Sequence, residues 1–292
     1  MTAVNDNPKA ALAEQAEPAG SGGEAQGLLA GRRGLVMGVA NDHSIAWGIA
    51  AAAHAQGAKL AFTYQGEAFG RRVKPLAESI GSELVLPCDV EREADLDEVF
   101  TAVERDWGRL DFLVHAVAFS DKTELKGRYL DTTRANFART MAISCYSFTA
   151  AARRAAACMP EGGSLITLSY LGAERVMPSY NVMGVAKAAL EASVRYLAAD
   201  LGETGVRVNA ISAGPMRTLA GSAVSDARFV YNWSRDHAPL NRNVKLEEVG
   251  GAALYLLSDL SKGVTGEIHH VDSGYHVMGM PAPARLTPDD EG

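Results

Sequence analysis

The sequence has few cysteines, no excess of basic residues and no long apolar run, and each shortage excludes a class of protein. The three cysteines, Cys88, Cys145 and Cys158, are an odd number without CxxC spacing, so neither a disulfide framework nor a metal site is predicted. The 28 Lys and Arg residues are outnumbered by 35 Asp and Glu residues, which argues against nucleic-acid binding. No apolar run reaches the roughly 18 residues of a membrane-spanning helix, and the N-terminus lacks the pattern of a secretory signal. We therefore expect a cytoplasmic protein without a membrane segment.

Both ends of the chain are poor in residues that pack a core. Residues 1–30 consist largely of Ala, Glu, Gly, Ser and Gln, and residues 281–292 begin Pro-Ala-Pro-Ala and end Asp-Asp-Glu-Gly. We interpret both segments as flexible acidic tails, which together carry most of the net charge of −7. The predicted folded domain is 31–280, and a hydrophobic content of 47% is sufficient to form its core.

Within residues 31–280, short β-rich runs alternate with helical patterns. Seven runs are predicted to be strands, among them GLVMGV at 34–39, KLAFTY at 59–64 and DFLVHAV at 111–117, and several are apolar on both faces. Such runs are typical of a parallel sheet covered by helices on both sides. The alternation continues without a break in composition. It predicts a single α/β domain, Rossmann-type and doubly wound, with a seven-stranded parallel sheet.

The loop after the first strand is where the pyrophosphate of a dinucleotide would lie in such a fold. Gly38 and Ala40 leave room beside the backbone, and Ser44 could cap the next helix or bind a phosphate. The N-terminus of that helix would attract an anion. Because the strict GxGxxG pattern is absent, a plain strand-loop-helix turn, with Gly48 serving close packing, stays open.

Two further strand ends could contact the adenosine of a dinucleotide. Gln65 follows the second strand, where it could bind ribose hydroxyls, and no basic residue adjoins it to attract a 2′-phosphate. This favours NADH over NADPH, and we interpret Arg71 and Arg72 as solvated helix charges. Asp89 follows the third strand, where it could lie beside the adenine or cap the next helix.

The most specific pattern is the segment from Ser164 to Lys187, a predicted strand followed by a loop and a helix. Tyr180 and Lys187 lie seven residues apart, about two helical turns, so both fall on one face of the helix. A tyrosine near an ammonium group can act as an acid or oxyanion stabiliser, because the positive charge favours tyrosinate and strengthens the phenol as a donor. An amphipathic helix also produces such a pair easily, so the spacing alone does not establish catalysis.

The segments LSYLGAERVMPS, YNVMGVAK and VRVNAISAGPMRTLA resemble the bacterial NADH-dependent enoyl-acyl-carrier-protein reductases, a divergent branch of the short-chain dehydrogenase/reductase family. The resemblance extends from about Gly34 to His276. It implies reduction of trans-2-enoyl-acyl carrier protein by hydride transfer from NADH, the last step of the fatty acid elongation cycle. It also implies acyl carrier protein as a partner and a homotetrameric assembly.

The same resemblance implies the site residues. The catalytic positions match Tyr180, Lys187 and Tyr170. Cofactor contacts are implied for Gly38, Ala40, Ser44, Ile45, Gln65, Asp89, Val90, Ala116, Leu168, Lys187, Ala213, Gly214, Pro215, Met216 and Thr218. Substrate contacts are implied for Ala118, Phe119, Tyr170, Tyr180, Met183 and Met216. A mobile lid is expected at about 216–233, where Phe229 and Trp233 could cover an acyl chain or serve core or surface packing.

Met183 bears on which reaction the protein catalyses. The wider short-chain family places its catalytic tyrosine four residues before the lysine, where this chain has Met183, so a ketone or alcohol dehydrogenase is the weaker alternative. A non-catalytic dinucleotide sensor is a third hypothesis.

The chain departs from the family it resembles at two places. Ala118 stands where members of that family usually have glycine, and its methyl group would narrow the site near the nicotinamide. Arg228 matches a basic residue of the portal where relatives dock the acidic carrier, but Ser225 and Phe229 replace its usual basic companions. Carrier docking is therefore expected to be weaker or to use other residues, such as Arg217 or Arg235.

Overall fold

The computed structural model describes residues 27–219, 221 and 226–280. The strands are β1 (Arg33–Met37), β2 (Lys59–Tyr64), β3 (Val85–Pro87), β4 (Phe112–His115), β5 (Gly163–Ser169), β6 (Val206–Ala213) and β7 (Ile268–Val271). The helices are α1 (Ile45–Ala55), α2 (Gly66–Ser79), α3 (Glu93–Trp107), α4 (Arg134–Met141), α5 (Ser147–Ala157), α6 (Asn181–Leu201), α7 (Ala227–His237) and α8 (Leu246–Leu257). A π-helical turn, Ala142–Tyr146, joins α4 to α5.

The strands form one parallel sheet in the order β3-β2-β1-β4-β5-β6-β7. In this register Val36 of β1 lies opposite Phe62 of β2 on one side and Val114 of β4 on the other. The predicted single α/β domain, Rossmann-type and doubly wound, is confirmed. The strand order reverses between β1 and β4, and ligands of doubly wound sheets bind at the carboxyl ends of the strands at such a point.

The core lies on both faces of the sheet, as the apolar strands predict. In β1, Leu35 and Met37 face one side and pack in a buried cluster with residues of α3, α5 and α6. Val36 faces the opposite side and packs in a second buried cluster with residues of α1 and α8. All three side chains are fully buried. Two helical layers therefore hold the central strand, so its carboxyl end is a rigid support for a site.

The folded domain begins before residue 31. Leu29 is fully buried in the cluster that contains α1, and its backbone N–H donates to Gln56 O at 3.0 Å. The prediction that residues 1–30 form a tail is therefore wrong for residues 27–30. The other predicted tail residues, 1–26 and 281–292, lie outside the described residues.

None of the helices in the described part of the chain is long and apolar enough to cross a membrane. The longest of them, α6, has 21 residues and includes the charged residues Lys187, Glu191, Arg195 and Asp200.

Candidate active site

A cleft of about 1470 Å³ runs along the carboxyl ends of the strands. It is lined by the segments that follow β1 to β6 and by the first turns of α6 and α7. Apart from Ser44, each cofactor and substrate residue named from the sequence lines this cleft. The topology thus gathers residues from seven separate chain segments into one site, at the strand-order reversal where a dinucleotide binds in this kind of fold.

The β1–α1 loop fits an anionic group. Gly38 has φ of +96°, and a Cβ atom at this position would lie 2.2 Å from Ala116 O, so only glycine is accommodated. Among the described residues, no side chain caps the N-terminus of α1, which leaves its first amide groups free to bind a phosphate. The side chain of Ser44 does not line the cleft, because its hydroxyl donates to Asn41 O at 2.5 Å and accepts from Ala40 N at 3.4 Å.

The end of the cleft beside β2 and β3 contains the two polar residues predicted from strand ends. Gln65 and Asp89 both line the cleft. The alternative that Asp89 caps the next helix is wrong, since α3 begins at Glu93 with Arg92 at the capping position. The Asp89 carboxylate instead accepts from Glu91 N at 3.0 Å. Arg71 and Arg72 lie exposed on α2 and are absent from the cleft wall, as solvated helix charges should be.

The three predicted catalytic side chains converge where β5 meets α6. Tyr180 immediately precedes α6, and its ring packs edge-on against the ring of Tyr170, with centroids 5.0 Å apart and an interplanar angle of 71°. Lys187 lies two turns along the helix and donates from Nζ to Leu168 O at 2.6 Å. All three side chains line the cleft. The strand-loop-helix pattern therefore does bring both tyrosines and the lysine to one site.

Burial controls the protonation of these groups. It raises the pKa of Tyr180 above its ordinary value, and neighbouring Tyr170 and Glu191 add to the shift. Burial likewise raises the pKa of Tyr170. It lowers the pKa of Lys187 to about 8. The expectation that the lysine charge favours tyrosinate is therefore wrong, because desolvation keeps Tyr180 as a neutral phenol that can donate a hydrogen bond.

The segment after β6 forms the far wall of the cleft. The predicted cofactor residues of this segment all line it: Ala213, Gly214, Pro215, Met216 and Thr218. A Cβ atom at Gly214 would lie 2.9 Å from the Cα atom of Asp272, so this glycine is also required for packing against the segment after β7.

Only part of the predicted lid faces the cleft. Helix α7 covers one side of it through Val230 and Tyr231, while the aromatic residues predicted to cover an acyl chain point elsewhere. Trp233 stacks on His237 at 3.9 Å, and Phe229 is 57% exposed. The packing alternative therefore describes these two residues better. Residues 220 and 222–225, within the same predicted lid, lie outside the described residues.

Several cleft residues were missed by sequence reasoning. Arg139 of α4 lines the cleft, bonds to Glu91 through Nη2 at 2.8 Å and stacks its guanidinium 4.5 Å above the ring of Phe119. Ser120 and Asp121 extend the wall after β4. The rule that carboxyl ends of parallel strands converge could have indicated Ser120 and Asp121, whereas no local pattern indicates Arg139.

The arrangement can hold a dinucleotide and polarise a carbonyl group. The uncapped helix N-terminus suits a pyrophosphate. The partly buried phenol of Tyr180 can donate to an oxygen that gains negative charge, and Lys187 provides a cation in the same wall. The remaining lining near Tyr180 includes the apolar residues Met183 and Leu125. Such a cleft favours a long ligand that is polar at one end and apolar at the other.

Comparison with known proteins gives consistent similarities. The model of the family described as Enoyl-(Acyl carrier protein) reductase matches residues 38–276. The chain is 66% identical over 255 residues to enoyl-acyl-carrier-protein reductase (NADH) 2 of Rhizobium meliloti (strain 1021), which covers 87% of this chain and 95% of that protein.

Solved structures agree. The enoyl-acyl-carrier-protein reductase of Anaplasma phagocytophilum, in complex with NAD, is 59% identical with a TM-score of 0.85, covering 88% of this chain and 98% of that one. The Bacillus cereus reductase, with NADP+ and indole naphthyridinone, is 51% identical with a TM-score of 0.85, covering 87% of this chain and 100% of that one.

Proposed function

This chain belongs to the enoyl-(acyl carrier protein) reductase family, and from that premise we propose how its residues perform the reaction. The reaction is the NADH-dependent reduction of the carbon–carbon double bond of a trans-2-enoyl thioester, the last step of the fatty acid elongation cycle. These roles are supported by the position of three side chains, which converge on one wall of the cleft: Tyr170, Tyr180 and Lys187.

The residues present fit an NADH molecule extended along the strand ends. The uncapped N-terminus of α1 and the open backbone at Gly38 suit the pyrophosphate. Gln65, Asp89, Leu168 and Lys187 line the cleft. The first two would bond the adenosine, and the last two would contact the nicotinamide riboside. NADH, when bound, supplies the hydride, and the protein supplies orientation and electrostatic support.

Tyr180 donates a hydrogen bond to the thioester oxygen of the substrate. As hydride reaches C3 of the enoyl group, negative charge moves to this oxygen, and a positioned donor stabilises it by about 2.7–4 kcal/mol in the transition state. The raised pKa of Tyr180 supports this role, since the phenol keeps its proton at neutral pH. The resulting enolate would then take up a proton from solvent at C2, which completes the addition of a hydride and a proton across the double bond.

Lys187 and Tyr170 act beside that oxygen. The Lys187 ammonium group, anchored to Leu168 O, has further N–H donors that can bond a ribose hydroxyl and keep the local potential positive. Tyr170 packs edge-on against Tyr180 and thereby holds the orientation of its ring. Tyr170 also lines the cleft, where it would border the space available to the acyl chain.

The substrate partner is acyl carrier protein. Arg217 and Arg228 line the cleft and are exposed, so they present positive charge to an acidic carrier. Arg235 is less available, because its guanidinium bonds to the carboxylate of Asp236 at 2.6 and 2.9 Å. We assign a homotetramer from the family resemblance, and a cytoplasmic location in which Cys88, Cys145 and Cys158 stay free thiols.

The function is tested by the absorbance of reduced nicotinamide after addition of an enoyl thioester such as crotonyl-acyl carrier protein. NADH should be consumed, and NADPH more slowly. Oxidation of secondary alcohols with NAD, in place of enoyl reduction, would instead identify an alcohol dehydrogenase. Binding of NADH without consumption by any enoyl thioester would identify a dinucleotide sensor.

A further inference from the structure

A stripe of four buried polar side chains on α4, the π-helical turn and α5 faces the loop that follows β4. The stripe consists of Asn136, Thr140, Ser144 and Ser147, spaced four, four and three residues apart, so its members lie on one helical face. Thr140, Ser144 and Ser147 are 0% exposed and Asn136 is 7% exposed. Polar groups buried to this degree need hydrogen-bond partners. The partners here belong to the loop that follows β4 and to the last residue of that strand.

Asn136, Thr140 and Ser144 bond to the loop at 119–121, and their order along the helix is the reverse of the order of their partners. Asn136 Oδ1 accepts from Asp121 N at 3.0 Å, and Thr140 Oγ1 donates to Ser120 Oγ at 2.9 Å. Ser144 Oγ accepts from Phe119 N at 2.9 Å and donates to Phe119 O at 3.0 Å.

Ser147 completes the series at the end of β4. Its hydroxyl donates to Ile143 O at 2.6 Å, so it accepts from Nε2 of His115 at 2.8 Å. His115 is fully buried, and burial lowers its pKa to about 3 with a further contribution from the charge of Lys187. His115 therefore stays neutral, and its hydrogen bond to Ser147 fixes the end of β4 against α5.

The opposite side of the same loop forms the wall of the active site. Residues 116–121 all line the cleft, and Ala118 and Phe119 are among the substrate residues implied by the resemblance. Ser144 has the strongest hold, because two hydrogen bonds to one residue fix the orientation of the peptide groups on both sides of Phe119. It lies within the π-helical turn, a distortion frequently found near functional sites.

We propose that this polar stripe, with Ser144 as its principal member, consists of positioning residues that set the loop wall beside the reacting groups. The inference rests on the proposed function, since it concerns the geometry of hydride transfer. Ser144 contacts the loop backbone and not the cleft, so it acts through the placement of Ala118 and Phe119. A misplacement of about 1 Å in such a wall can lower the rate about 100-fold.

The test compares Ser144→Ala with Ser193→Ala in the full-length protein. Ser193 lies on α6, and its hydroxyl bonds to Ala189 O and approaches Cys145 Sγ, so it offers the same chemical change without contact to the loop. The readouts are kcat per NADH-binding site, KM for NADH, and the primary isotope effect with NADH deuterated at the transferred hydrogen.

For Ser144→Ala we expect kcat to fall about 10- to 100-fold, KM for NADH to change less than about 2-fold, and the isotope effect to rise. Ser193→Ala should match the wild type. Equal kcat values for the two variants would overturn the proposal. A loss of total activity that disappears when the activity is expressed per NADH-binding site would also overturn it, since it would indicate damaged folding alone.

A second pair keeps the proposal testable if Ser144→Ala fails to fold. Thr140→Val removes the hydroxyl at nearly constant shape, whereas Thr140→Ser retains it. We expect the valine variant to lose turnover several-fold and the serine variant to retain it. Equal turnover in the two variants would contradict a positioning role of the hydroxyl. If the wild type itself consumes no NADH with enoyl thioesters, the proposed function fails, not the stripe.

Discussion

The charge of Lys187 depends on the burial of its ammonium group. This residue is 6% exposed, and burial lowers its pKa from about 10.5 to about 8, although Cys145 and Glu191 act in the opposite direction. At a pH between these two pKa values, Lys187 is protonated in more of the unfolded chains than of the folded ones. Burying this ammonium group therefore costs stability below pH 8, and the cost disappears as the pH rises toward 10.5.

Titration of Lys187 should make kcat/KM for NADH depend on pH. As the pH rises through about 8, Lys187 of the free enzyme loses its proton and its positive charge, so kcat/KM for NADH should fall. In Lys187→Met, the value should be low and flat over the same range. A pH profile from 6 to 10 measures both variants. A full alkaline limb that persists in Lys187→Met would assign the titration to another group.

At the residue scale, the sequence predicts side chains that belong to a recognisable segment and misses those that act through tertiary contacts. Tyr180 and Lys187 were singled out by their spacing on one helix, and the family resemblance of the same segment added Tyr170 and implied a catalytic role for all three. Ser144 was missed, since a serine within a helix carries no local signal of the loop that it bonds. The direction of the pKa shift at Tyr180 was also missed, because burial is a property of the packed site.

At the scale of elements, α1 and α8 pack unusually closely through glycines, and this contact supports the helix whose N-terminus faces the cleft. A Cβ atom at Gly48 would lie 3.2 Å from Leu246 Cβ, and one at Gly250 would lie 3.0 Å from Ala52 Cβ. The packing role left open for Gly48 is thus confirmed. The neighbouring Gly251 has open space around its Cα atom.

Adjacent glycines of α8 should therefore respond with opposite signs. Gly250→Gln forces a side chain between the helices and should lower the free energy of unfolding by about 1–3 kcal/mol. Gly251→Gln should raise it by roughly 0.5 kcal/mol, because glutamine favours a helix more than glycine does. Urea denaturation followed by circular dichroism measures both. Similar changes for the two variants would show that the close approach of α1 and α8 is unimportant.

Strand positions were predictable, whereas irregular turns were not. The seven strands were found because apolar β-branched runs mark the buried strands of a parallel sheet. The run at 111–117 was predicted to be a strand, but only Phe112–His115 forms one. The π-helical turn at Ala142–Tyr146 has no spacing signal, since it depends on how α4 and α5 meet the loop after β4.

At the scale of the whole molecule, residues 27–30 extend the domain beyond its predicted start. Leu29 is fully buried, and Leu28 N donates to Gln56 Oε1 at 3.0 Å, so this segment covers the end of α1. The composition of residues 1–30 could not reveal this, because one buried leucine among Gly and Ala does not change the average of the segment.

Two truncations should separate the tail from the domain. A chain that begins at Gln26 should retain wild-type activity and stability. A chain that begins at Arg32 loses the burial of Leu29 and should be less stable by at least about 1.5–3 kcal/mol. Thermal and urea unfolding measure the difference. Equal stability of the two truncations would place the start of the domain after residue 31.

The reaction itself depends on the neutral phenol of Tyr180. Its ring is held by Tyr170 and rests on Gly172, where a Cβ atom would come within 2.3 Å of the Tyr180 ring. Tyr180 therefore provides the hydrogen-bond donor, and the segment between β5 and α6 fixes the orientation of its ring. The parallel sheet provides a rigid support for these two elements.

The most direct measurement is the single-turnover rate of hydride transfer from NADH to an enoyl thioester in Tyr180→Phe. Removal of the hydroxyl should lower this rate about 100- to 1000-fold, while the affinity for NADH stays within about 2-fold of the wild type. Hydride transfer at the wild-type rate in Tyr180→Phe would contradict the account.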